Sequence, residues 1–92
     1  MKYRIRIVAD ADAELRTVPV FYRRQIVEMI GKLLGTQPTQ ESQSRIKKLV
    51  QRAASVYRLR VGEYRVFYDI EDETVTILHI CHKADCLKLY GG

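Results

Sequence analysis

Three arginines, Arg58, Arg60 and Arg65, lie around a Gly62-Glu63 pair, interleaved with tyrosines and aliphatic residues. VYRLRV alternates in polarity, Gly62 and Glu63 suit the two central positions of a type II′ turn, and YRVFYDI resumes the alternation. Pairing residues 56–61 with 64–70 through that turn sets Val61 against Tyr64, Arg60 against Arg65, Leu59 against Val66 and Arg58 against Phe67. Tyr57, Leu59, Val61, Tyr64, Val66 and Tyr68 then share a core face, and Arg58, Arg60, Arg65 and Phe67 share the other. Directly opposed like charges cost a few tenths to about 1 kcal/mol, so a sheet with no use for them would more often mix signs there. Guanidiniums clustered on a rigid sheet beside an aromatic suit phosphate binding and base stacking. A basic face merely solvated and screened by counterions is the plainer alternative.

The C-terminal stretch holds a second group of reactive types: His79, Cys81, His82, Lys83, Cys86 and Tyr90. His79 shares a strand face with Val75, Ile77 and Cys81, which makes it a structural residue. His82 lies past the strand beside Lys83, and histidine is the usual proton carrier near neutral pH, so it is the candidate general base or acid. Two histidines and two cysteines within eight residues also resemble a zinc ligand set. Structural zinc normally joins two separated knuckles, however, and four ligands from one strand end close awkwardly around a tetrahedron. No metal or other cofactor is expected. Two thiols without further cysteines read as reduced spectators in a cytoplasmic protein.

Residues 2–8 alternate as a strand, with Tyr3, Ile5 and Ile7 on one face. Asp10 is placed to cap a short helix running to about Arg16, and Pro19 to open a second. Tyr22, Ile26, Met29, Ile30 and Leu33 recur at helical spacing, and Gly35 ends that run. Residues 36–44 form a polar loop containing Pro38. Residues 44–54 are ambiguous, although Ile46, Leu49, Val50 and Ala53 would suit one helix face. After the hairpin, Glu71-Asp72-Glu73 turns the chain into the strand TVTILHIC. The expectation is an α+β fold in a single domain over 1–92: one N-terminal strand, two helices, then a three-stranded antiparallel meander, with the helices packed on one face.

Lys and Arg number 16 against 11 Asp and Glu, a net charge of +5 that favours a polyanionic partner, nucleic acid or an acidic protein segment. The first seven residues alternate basic and apolar types, whereas a signal peptide needs a continuous apolar block, and no stretch is long enough to cross a membrane as a helix.

VYRLRVGEYRVFYDI closely resembles the hairpin of RelE/ParE toxins, in which a Tyr-Arg-apolar-Arg-Val-Gly strand and turn lead into Tyr-Arg and two apolar residues before a further tyrosine. The likeness runs over nearly the whole chain, from the basic first strand through the paired helices and the IKKL segment to a terminal tyrosine. The hairpin is its specific part. The resemblance implies a toxin of a type II toxin–antitoxin system that enters the ribosome and cleaves mRNA by attack of a ribose 2′-OH on the adjacent phosphate. It implies a cognate antitoxin as partner, acidic to suit this surface, with DNA met only through the antitoxin complex. By position in the motif Arg60 and Arg65 become phosphate clamps, Arg58 a substrate-positioning cation and Tyr90 a stacking platform or proton carrier. Phe67 and Lys83 join the RNA-binding face. The family usually carries an arginine a few residues before the terminal tyrosine, where this chain offers Lys83 followed by Ala84-Asp85-Cys86. A ParE-like toxin that inhibits DNA gyrase without cleaving anything is the alternative within the same fold.

Overall fold

The computed structural model describes residues 2–39, 46–51 and 54–90. In chain order the elements are β1 (Arg4–Ile7), α1 (Ala9–Thr17), α2 (Val20–Met29), a π turn over Ile30–Leu34, β2 (Ile46–Gln51), β3 (Ala54–Val61), β4 (Tyr64–Glu71), β5 (Thr74–His82) and α3 (Lys83–Tyr90). The strands form one mixed sheet in the order β1-β5-β4-β3-β2. β1 runs parallel to β5, Arg4 opposite Thr74 and Ile7 opposite Ile77, and the other neighbours are antiparallel. The class is α+β, as the alternation predicts, with two elements beyond the expected set.

The first is β2, where a helix face had been the reading of the ambiguous segment. Ile46 pairs with Leu59 on the core face, whereas Leu49, an odd number of residues on, lies on the opposite face. That spacing resembles a helix only when one face of the sheet is assumed to be wet. Both faces are covered here: Ile46 is in the main core, and Leu49 packs beside Phe67, Cys81 and Cys86. Ser44 and Ala53, also part of that reading, lie outside the described residues, as do 40–44 of the polar loop.

The second is α3, which follows directly on β5. Its Cys86 joins the Phe67 cluster, so this helix packs on the face opposite α1 and α2 rather than with them. The two expected helices, α1 and α2, thus share one face, and α3 adds a partial cover on the other.

The main core forms where Ala11 and Leu15 of α1, Val18, and Ile26, Ile30 and Leu34 of the second helical run meet Leu59, Val66, Tyr68, Val75, Ile77 and Ile80. The π turn, with the Gly35 amide donating to Ile30 O at 3.2 Å, brings Leu34 back into line with Ile26 and Ile30. A Cβ on Gly35 would meet the Gly31 carbonyl oxygen at 2.6 Å, so the turn admits only glycine without moving. Tyr68, wholly buried, donates its hydroxyl to Pro38 O at 2.6 Å and pins the loop after α2 to the sheet. Burial, then the neighbouring Tyr57, pushes the Tyr68 phenol well above its ordinary pKa, keeping it a donor.

Helix ends depart slightly from expectation. Val8, in extended conformation, precedes α1 with no side-chain cap, and Asp10 sits inside the first turn with Asp12, near the positive end of the helix dipole. Pro19 is the residue before α2 rather than its first. β1 is shorter than residues 2–8, and as an edge strand it leaves Ile5 and Ile7 exposed.

Candidate functional site

The hairpin positions the site. Gly62 has φ +58, and among the described non-glycine residues only Asp72 has positive φ, so Gly62 alone carries the left-handed conformation of the turn, as a type II′ turn requires. The register is the one the alternation dictates: Val61↔Tyr64, Arg60↔Arg65, Leu59↔Val66, Arg58↔Phe67. Arg58, Arg60 and Arg65 thus share the face away from α1 and α2, joined by Lys47, which pairs with Arg58 from β2.

Their surroundings differ. Arg60 is exposed. Arg58 is half-buried, and burial followed by the charge of Arg60 lowers its pKa. Arg65 is only 9% exposed, and its pKa is lowered by burial first, then by Arg60 and Arg58. Its Nη1 donates to the carbonyls of Gly62 and Tyr64, each at 2.9 Å, which spends part of the fork on holding the turn. The buried Nε–H of Arg58 finds no acceptor among the described residues. An unmet buried donor on a charged group is costly, and this one sits among like charges. The arrangement is short of anionic oxygen.

Phe67 is on the arginine face, as the alternation places it, but it does not serve as an open stacking platform. It is 3% exposed, covered by α3 through Cys86. Lys83 begins α3 beside the hairpin turn: its amide donates to Glu63 O at 2.8 Å and its Nζ lies 3.0 Å from Glu63 Oε2. Both side chains are more than half exposed, so the pair is weak and exchangeable. Tyr90 is the last residue of α3.

His82 is not brought to the arginines. It pairs with Tyr64, and the two rings meet edge-on at 5.5 Å on the helix-covered face, where Tyr64 also touches Tyr22 of α2. There it lines a cavity of about 440 Å³ with Glu14, Thr17, Val18, Tyr64 and Asp85. Its Nδ1 accepts the Ala84 amide at 3.2 Å, so the ring caps α3 much as an asparagine would. The sheet stands between it and the guanidiniums.

A bulge accounts for His79. Phe67 pairs with His79 and Tyr68 with Ile77, leaving Leu78 unpaired. The extra residue flips the alternation, so His79 and Cys81 leave the face of Val75 and Ile77. His79 Nδ1 lies 3.4 Å from Glu14 Oε1, which also accepts the Ile80 amide at 3.1 Å where β5 extends past the end of β1. Glu14 was not legible as a functional residue. Its only signal is its place beside the buried Ala11 and Leu15 on α1.

Cys81 and Cys86 are joined by a disulfide, with Cα atoms 5.7 Å apart, where reduced spectator thiols had been expected. The cause is local: the chain turns from β5 into α3 at Lys83, and that first helical turn carries residue 86 back over residue 81. The four side chains considered as zinc ligands do not converge, and no group of three His, Cys, Asp or Glu among the described residues is placed to hold a metal ion. Among the described residues no helix is long and apolar enough to cross a membrane.

A small α+β sheet whose hairpin sets guanidiniums on one face defines the RelE-like class of toxin fold. The chain belongs to the ParE toxin family of type II toxin–antitoxin systems, whose model matches residues 5–85. It is 32% identical over 90 residues to toxin RelG of Mycobacterium tuberculosis, covering 96% of this chain and 99% of that protein. Among solved structures it is similar to the RelBE2 toxin–antitoxin complex of M. tuberculosis, with TM-score 0.78 and 28% identity over 89% of this chain and 99% of that one. The archaeal RelE–RelB complex of Pyrococcus horikoshii gives TM-score 0.74 and 27% identity over 90% and 97%.

Proposed function

We propose that this toxin is a ribosome-dependent mRNA endonuclease of the cytoplasm, held inactive by an acidic antitoxin. The observation that carries the proposal is the arginine face, and within it the buried Arg58 Nε–H, which has no acceptor among the described residues. Three guanidiniums that repel one another, two of them partly stripped of water, gain most from an anion that accepts from all of them. A phosphodiester at the point of cleavage is such an anion. It gains charge as the 2′-oxygen attacks, so cations fixed beforehand favour the crowded phosphorane over the ground state. Arg60, exposed and free of internal duties in the contacts described, reaches the phosphate first. Arg65 supplies the part of its fork not given to the turn, and Arg58 positions the strand. None of the three is a general base at ordinary pH. With His82 on the other face, proton transfer falls to Tyr90 or to water held among the guanidiniums.

The similar M. tuberculosis structure is a toxin–antitoxin complex, and that of P. horikoshii a RelE–RelB complex. An acidic helix or extended segment laid over the arginine face would silence this chain by the same charge complementarity that draws RNA.

Gyrase inhibition without cleavage is the second reading, and the match to the ParE family model favours it. One paired experiment separates the two. The chain is expressed alone, mRNA ends are mapped on ribosomes, and gyrase supercoiling is assayed beside them. New 5′-hydroxyl ends within ribosome-bound messages are expected. Growth arrest with intact messages and blocked supercoiling would replace this proposal by the second.

A further inference from the structure

The disulfide lies where it can control the proposed site. Cys81 pairs directly across from Arg65, and Cys86 belongs to the helix that covers Phe67 on the same face. Both residues are nearly buried, at 8% and 4% exposure. α3 has eight residues, too few to persist as an isolated helix. Its start is anchored by the His82 cap and the Lys83–Glu63 contacts, and its body is held to the sheet at Cys86. A hinge at residues 82–83 with a covalent bond one turn further on is the geometry of a staple.

We propose that Cys81 and Cys86 are a redox site whose oxidation closes α3 over Phe67, on the arginine face, and whose reduction lets it open. The oxidant class is a small hydroperoxide. In the open form one thiolate attacks the peroxide oxygen, the O–O bond breaks and an alcohol leaves, giving a sulfenic acid. The second thiol then attacks that sulfur, the S–O bond breaks and water leaves. Two thiols and one hydroperoxide give one disulfide, one alcohol and one water, with two electrons passing from sulfur to oxygen. A dithiol reductant reverses the state by two exchange steps, ending as a disulfide itself. Arg65, paired opposite Cys81 in the β4–β5 ladder, puts a cationic residue on the same face, the kind of neighbour that favours a thiolate.

That closure masks RNA binding rests on the endonuclease proposal; the staple itself does not. The test compares the full chain reduced with dithiothreitol and oxidised with tert-butyl hydroperoxide. Alkylatable thiols are counted by mass, exchange of the α3 amides is followed by deuterium uptake, and a labelled single-stranded RNA oligonucleotide is titrated. Oxidation should remove both thiols and slow exchange in α3 roughly 40-fold, the loop-closure gain for a crosslink this short. RNA affinity should fall by up to the same factor, roughly 40-fold, to the extent that binding needs Phe67 uncovered. Cys86→Ala and Cys81→Ala should each hold the reduced-state values before and after oxidant. Thiols that persist after oxidation, or α3 exchange equal in the two states, overturn the staple. RNA bound equally in both states overturns the masking. RNA bound in neither state, while exchange responds to oxidation, overturns the masking of RNA binding and leaves the staple standing.

Discussion

Replacing Arg60 by glutamine should make this protein more stable and worse at binding RNA. Arg60 faces Arg65 across the β3–β4 ladder and lowers the pKa of both Arg58 and Arg65. Directly opposed like charges cost a few tenths to about 1 kcal/mol, and glutamine removes the charge while keeping much of the stem. Recovering about 0.5 kcal/mol in a domain of this size raises Tm by roughly 2–4 °C. The gain should be largest in dilute buffer and vanish near 1 M salt, where screening acts within about 3 Å. RNA binding should move the other way. Three guanidiniums on a single strand give a slope of log affinity against log salt of roughly −2, so raising salt from about 50 to 200 mM weakens binding about 18-fold. Arg60→Gln should reduce that slope to about −1.4, a fall of about 7-fold. Calorimetry at two salt concentrations and an RNA titration at the same two read both effects. A Tm that falls, or a gain that survives high salt undiminished, would refute the claim that the cluster stores repulsion for a ligand to relieve.

Tyr68→Phe should lose about 1–3 kcal/mol, because it leaves the Pro38 carbonyl without its donor in a buried site; thermal unfolding reads this directly. His82→Asn should keep the α3 cap and, on the endonuclease proposal, keep cleavage of ribosome-bound message. His82→Ala should cost about 1 kcal/mol of local stability in α3, visible as faster amide exchange there. A loss of cleavage in the asparagine variant, with α3 intact, would return His82 to the chemistry. Asp72, at φ 56 in the β4–β5 turn, should give about 0.5–1 kcal/mol when replaced by glycine, measured by denaturant titration.

The hairpin was legible to the residue because period-two alternation and a two-residue turn leave only one register. The same logic failed one strand later. Leu78 looks like an ordinary member of TVTILHIC, and nothing in its type announces that it is the bulge that carries His79 and Cys81 to the other face. β2 was hidden for a different reason. Its apolar residues fall on both sides of the sheet, and such a strand imitates a helix unless the second cover is known. That cover is α3, whose first turn begins on the residue after β5 and carries no turn-forming Gly or Pro to mark it. Alternation placed Phe67 on the correct face, whereas His82, read as lying past the strand, is the last residue of β5. Whether a face is open to solvent is a tertiary property, and Phe67 shows how far that differs from which way a side chain points.

β1 pairs with β5, the first strand with the last, and β5 itself completes the face on which the guanidiniums stand. Emerging from the ribosome, the chain has β1 and its two helices in hand long before Thr74 is made, and until then that edge has nothing to join. The β3–β4 hairpin can form locally, but without β5 its Val66 and Tyr68 have no neighbour on one side. A toxin built this way has no complete sheet until β5 has been made.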